Sequence, residues 1–124
     1  MVYKKFEELP VWQDSRRVVN AIYNLLGSNE KLRRDFSLCD QLKRAGCSIM
    51  LNIAEGFERN SNKEFGYFLN VAKGSAGEVR SILYIIEDQM KSKNSELIQL
   101  RYEVEQISIQ LSNFRSFILK APTK

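Results

Sequence analysis

Residues Gln41 to Arg59 read QLKRAGCSIMLNIAEGFER, and the way this stretch coils decides the fold. At about 100° per residue on a helix, Leu38, Leu42, Ala45, Ile49, Ile53 and Gly56 share one stripe. Gln41, Arg44, Ser48, Asn52, Glu55 and Arg59 share a neighbouring stripe roughly 80° wide. The first stripe is a core face and the second a polar seam. On an ordinary surface helix the remaining circumference is charged. Here it carries Cys47, Met50, Leu51, Ala54 and Phe57, with no charge from Cys47 until Glu55 on the seam and Glu58 beyond it. A helix that is apolar nearly all round is covered on more than one side. The expectation is a helix packed inside its own subunit and also against another copy, with Met50, Leu51, Ala54 and Phe57 as candidate interface residues.

Working outward, the first helix is expected over residues 10–26, opened by Pro10 in its first turn and stopped by Gly27. Its inward positions are Val11, Trp12, Ser15, Val18, Val19, Ile22, Tyr23 and Leu26, with Phe6 and Leu9 beneath its start. Gly27 to Arg34 reads as the longest connection and as a loop. The second helix spans about 35–58. Ser61-Asn62-Lys63-Glu64 then forms a capping box that starts a third helix over 62–91. There Phe65, Leu69, Ala72, Ala76, Val79, Leu83, Ile86 and Met90 alternate four and three apart, a sustained heptad seam. Ala72, Gly74, Ser75, Ala76 and Gly77 read as small residues that let helices approach closely. A polar turn at 91–94, with Ser92 or Asn94 as cap, leads into a fourth helix over 95–120. Leu97, Leu100, Val104, Ile107, Leu111, Phe114 and Ile118 form its seam. Short connections make successive helices antiparallel, so the predicted fold is all-α: one up-down-up-down four-helix bundle spanning residues 1–124.

A chain of 124 residues with 44% hydrophobic and 27% charged residues suits a single core. No segment approaches the ~18 uncharged residues of a membrane span, and the opening MVYKKFEELP lacks an apolar signal core. Cys39 and Cys47 would stand about 12 Å apart on one helix, too far for a disulfide. Free thiols and the lack of a signal core together point to the cytoplasm.

There is no histidine, hence no use of the commonest general base and metal ligand. Two separated cysteines make no zinc site, and no Gly-rich phosphate loop or nucleophile elbow is present. No metal, cofactor or enzymatic activity is expected. The polar seam of Gln41, Arg44, Ser48, Asn52, Glu55 and Arg59 reads as structural, because buried polar residues fix register and oligomeric state. An enzymatic reading would rest on Asn52, Glu55 and Arg59 alone. The net charge of +4 is mild, so its distribution matters more. Lys31, Arg33, Arg34 and Lys43 cluster, with Arg16 and Arg17 on the first helix, and these six are the candidate nucleic-acid-binding residues. Tyr67 and Tyr102 fall off the seams and are candidates for a contact surface.

Several stretches resemble one family: Phe6-x-x-Leu9-x-Val11-Trp12-Gln13, Ile22-Tyr23, Gln41-Leu42-Lys43-Arg44-Ala45, Ser48-Ile49-x-x-Asn52-Ile53-Ala54-Glu55-Gly56-Phe57-x-Arg59, Glu64-Phe65 and Ala72-x-Gly74-Ser75-x-x-Glu78. They are similar to the four-helix-bundle proteins encoded in intervening sequences of bacterial large-subunit ribosomal RNA genes, often labelled ribosomal proteins. The resemblance covers most of the chain from Phe6 to Met90. It implies a homopentamer with a central channel and no known catalytic activity. In a five-fold ring a basic surface would be repeated five times. A similar fold serves as the accessory variability protein of diversity-generating retroelements, a basic pentamer that binds a reverse transcriptase and its RNA. Two functions follow: an RNA- or DNA-associated oligomer whose cations hold phosphate, or a protein-interaction adaptor such as a reverse-transcriptase accessory subunit.

Overall fold

The computed structural model describes residues 2–90 and 94–122. The expected third-helix end at Lys91, the turn residue Ser92 and the tail residue Lys124 lie outside the described residues. The described chain is all-helical: a 3-10 turn at Phe6–Glu8, then α1 (Pro10–Ser28), α2 (Glu30–Arg33), α3 (Phe36–Phe57), α4 (Asn62–Met90) and α5 (Ser95–Lys120).

Each long helix starts where a side chain or ring relieves the free N–H groups of its first turn. Pro10 opens α1 and so presents one N–H fewer. The Asp35 carboxylate accepts from the Leu38 N–H at 3.1 Å, the Ser61 hydroxyl from Glu64 at 3.2 Å, and the Asn94 side chain from Leu97 at 3.2 Å. The expected caps at Ser61 and Asn94 are therefore the ones used.

The first helix does not stop at Leu26. It runs through Gly27 to Ser28, whose hydroxyl donates back to the Leu25 carbonyl at 3.1 Å. A glycine ends a helix when it adopts a left-handed conformation, and Gly27 instead stays helical in open space. The break falls at Asn29, where the chain turns extended and the side chain caps α2 by accepting from Leu32 N–H at 2.8 Å. The connection expected as a loop thus contains a helical turn, pinned by the buried Leu32. The Cys39 thiol donates to the Leu32 carbonyl at 3.0 Å and fastens that turn to α3.

α3 and α5 each pack against both α4 and α1, which places α3 and α5 at opposite corners of a helical bundle. Gly56 of α3 lies against Phe65 and Phe68 of α4, and the Ser48 and Ser75 hydroxyls meet at 2.8 Å. Arg115 donates to the Gly66 carbonyl at 3.1 Å, Arg80 pairs with Glu105 at 3.0 Å, and Arg101 with Glu87 at 2.8 Å. Gln110 of α5 donates to Asp14 of α1 at 3.0 Å.

The core is built from the expected seams. Leu42, Ile49, Ile53, Phe65, Leu69, Ala72, Ala76, Val79, Leu83 and Ile86 are fully buried, as are Leu97, Val104 and Leu111. Ser15 lies among them at no cost, since its hydroxyl donates to the Val11 carbonyl at 2.7 Å. Tyr23, expected to face inward, is 50% exposed. Tyr23 lies about 100° round the helix from Ile22, past the edge of what α3 covers.

Glycine placement corrects a further expectation. Gly74 and Gly77 face open space and allow no close approach within the subunit, because both lie round the helix from Ala72 and Ala76. The tight contacts are at Gly46, where a Cβ would sit 2.5 Å from the Ile22 side chain, at Gly56, and at Gly66, 2.8 Å from Leu119.

Candidate nucleic-acid interface

At one end of the bundle the chain turns from α1 through α2 into α3. The Asn29 and Asp35 caps, six residues apart, fix the two turns. Between them lie Lys31, Arg33 and Arg34, and the first residue after the corner is Phe36, at 81% exposure. Phe36 is a shared wall of two clefts. One, of about 600 Å³, also holds Lys31 and Arg34 and reaches Ile86 and Met90 of α4. The other, of about 740 Å³, also holds Arg33, Lys43 and Tyr23. The four clustered cations are therefore brought together around one projecting ring.

Their partners differ in a way that decides the local charge. Arg34 pairs with Glu30 at 2.7 Å, both well exposed. Lys31 donates to the Gln89 carbonyl at 3.2 Å, Arg33 to the Gly27 carbonyl, and the Lys43 ammonium sits 5.2 Å above the Tyr23 ring. Carbonyls and rings orient a cation without neutralising it. Asp40, which lines the second cleft, is engaged by Arg44 at 2.7 Å.

Arg16 and Arg17 separate. Arg16 lies 5.9 Å over the Trp12 ring, on the same face of α1 as Asn20 and Tyr23, and so continues the cationic face along the helix. Arg17 is paired with Asp14 and lines a cleft with Glu103 of α5.

The polar seam of α3 meets α4 at its middle and again at its far end. Ser48 and Asn52 are half-buried, and the Asn52 amide donates to the Ser48 carbonyl at 2.8 Å and its hydroxyl at 2.9 Å. Gln41 and Arg44 are exposed. Glu55 and Arg59 are 47% and 46% exposed, 3.6 Å apart, with Arg59 also 4.7 Å over the Phe68 ring. Among the described residues no group of three acidic, cysteine or histidine side chains is placed to hold a metal ion. Burial pushes the Cys39 thiol above its ordinary value.

Of the candidate interface residues, Leu51 is 62% exposed, with Cys47 and Ala54 half-buried beside it on the outer side of α3. Met50 and Phe57 are half-buried at the edge of that patch, Phe57 meeting the Phe65 ring edge-on at 5.9 Å. The opposite corner carries a second apolar stripe, absent from the expectations apart from Tyr102. Ile98, Tyr102 and Ile109 of α5 are 42%, 56% and 49% exposed, with the ion-paired Glu105 between the last two, and Tyr84 of α4, under the Arg101 guanidinium, is 50% exposed. Their spacing of four and seven was the available signal, masked by the stronger inward heptad. Phe36 was also missed. Its signal is an apolar residue placed directly after a cap in a run of charges.

The model of the 23S rRNA-intervening sequence proteins matches residues 7–113. The chain belongs to that family. No curated protein matches it. A solved structure with a similar fold is that of a protein of unknown function from the S23 ribosomal protein family of Bacteroides thetaiotaomicron. The two are 23% identical, the match covers 85% of this chain and 97% of that one, and the TM-score is 0.77. At that identity the likeness speaks for the fold alone. Among the described residues no helix is long and apolar enough to cross a membrane.

Proposed function

We propose that this member of the 23S rRNA-intervening sequence family is a non-enzymatic, cytoplasmic RNA-associated protein: an antiparallel four-helix bundle, assembled as a homopentamer, that holds RNA through its phosphates. The observation that carries the reading is the bundle end at which Lys31, Arg33 and Lys43 keep their charge, bound to carbonyls and a ring instead of carboxylates. Such a patch contacts phosphate without reading sequence. The antiparallel order is supported by the pairs Gly56–Phe65, Ser48–Ser75, Gly66–Arg115 and Arg80–Glu105, in which one residue number rises as the other falls. Assembly is supported by the two apolar patches at opposite corners. Unlike patches on opposite sides meet head to tail, and head-to-tail contacts that close form a ring.

The test is a mobility-shift titration with labelled RNA at increasing salt. Affinity should fall steeply, with a slope near −0.7 for each phosphate neutralised on a single strand. Absence of any shift at low ionic strength removes the RNA reading and leaves the protein-adaptor alternative.

A further inference from the structure

We propose that Phe36 is a stacking platform for an unpaired base, so that the partner at this bundle end is single-stranded RNA. The inference rests on the RNA reading above and narrows it. Burial within its own subunit would stabilise a phenylalanine side chain. Phe36 is instead 81% exposed, while Leu32 and Leu38 to either side are buried or half-buried. The Asp35 cap fixes the backbone at its base, so the ring is presented from a rigid corner. Cations stand on both sides: Lys31, with the ion-paired Arg34, in one cleft, and Arg33 and Lys43 in the other. Tyr23, half-exposed across the second cleft, adds another ring within that space.

An exposed ring flanked by cations on both sides is the arrangement that single strands require, with bases on the ring and phosphates on the charges. A duplex keeps its bases paired and stacked on one another, and so cannot use the ring. The occupant that fits is thus a polyanion with free aromatic faces.

The experiment measures binding of the full-length protein to a fluorescein-labelled unpaired RNA 12-mer, to the same sequence as a duplex, and to its DNA counterpart. Wild type should prefer the single-stranded RNA over the duplex. Phe36→Ala should bind it about tenfold more weakly with an unchanged salt slope, because stacking and not charge has been removed. Phe36→Trp should bind as wild type does, and its added emission, over that of Trp12, should be quenched by the RNA. Light scattering should give Phe36→Ala and wild type the same mass. Wild-type binding that Phe36→Ala leaves intact, a preference for duplex, or tighter binding of the DNA overturns this inference while sparing phosphate contact. A changed mass for Phe36→Ala, showing the ring covered by a neighbouring copy, also overturns it. No wild-type binding of any probe overturns the RNA reading itself.

Discussion

Replacing Gly56 by alanine should destabilise the bundle, whereas the same change at Gly74 or Gly77 should stabilise it. In a helix interior alanine is favoured over glycine by up to about 1 kcal/mol, and at Gly74 and Gly77 an added methyl meets nothing within 4 Å. At Gly56 it would lie 2.8 Å from the Phe68 Cβ, 2.9 Å from the Phe65 ring and 3.3 Å from the Phe65 carbonyl. Neither a Cβ nor a backbone carbonyl can rotate away, and the Phe65 ring is fully buried against Phe57 and Phe114. Overpacking of that kind costs about 2–3 kcal/mol, so subtracting the helix gain leaves a loss of about 1–2 kcal/mol. Urea unfolding at one protomer concentration reads this directly, with a midpoint shift on the order of 0.5–1 M. Gly46→Ala and Gly66→Ala should be milder, because each methyl meets the far end of a flexible side chain, Ile22 or Leu119. A Gly56→Ala variant as stable as wild type, or a destabilised Gly77→Ala, would refute the assigned packing of α3 on α4.

Arg33→Ala and Lys43→Ala should each weaken RNA binding and lower the salt slope by roughly 0.7, whereas Arg17→Ala, whose guanidinium is paired with Asp14, should change it less; titrations at several salt concentrations check this. Asp35→Ala removes the α3 cap and should cost about 1 kcal/mol in urea unfolding. Burial raises the Cys39 thiol, so the native state holds that proton more firmly than the unfolded chain does. The associated stability is complete below the thiol's unfolded value and declines as pH climbs from there through the raised native value. Stability measured from pH 7.5 to 10 should therefore fall less steeply in Cys39→Ala than in wild type.

Periodicity made much of this legible. The heptads of α4 and α5 fixed which residues meet in the core, and the Ser61 and Asn94 side chains marked where those helices begin. Gly27 misled because a glycine stops a helix only where the backbone turns left-handed, and Asn29 supplied the actual break. Gly74 and Gly77 misled for a related reason: a helix's sequence gives the angle at which a residue projects, and only the neighbours decide whether that direction is crowded. The cations were legible as a cluster, but their carbonyl and ring partners come from α4 and α1, out of reach of a local reading. Phe36 escaped because one exposed ring carries no period, and the Ile98, Tyr102 and Ile109 stripe was hidden under a stronger one on the same helix.

In the proposed assembly, copies associate through the outer side of α3, where Leu51 is 62% exposed. Light scattering of the purified protein beside Leu51→Arg tests this most directly. The wild-type particle should have five times the 14.4 kDa chain mass, and Leu51→Arg should be folded yet smaller. A wild type that runs as a stable 14.4 kDa monomer, with Leu51 in water, would contradict it.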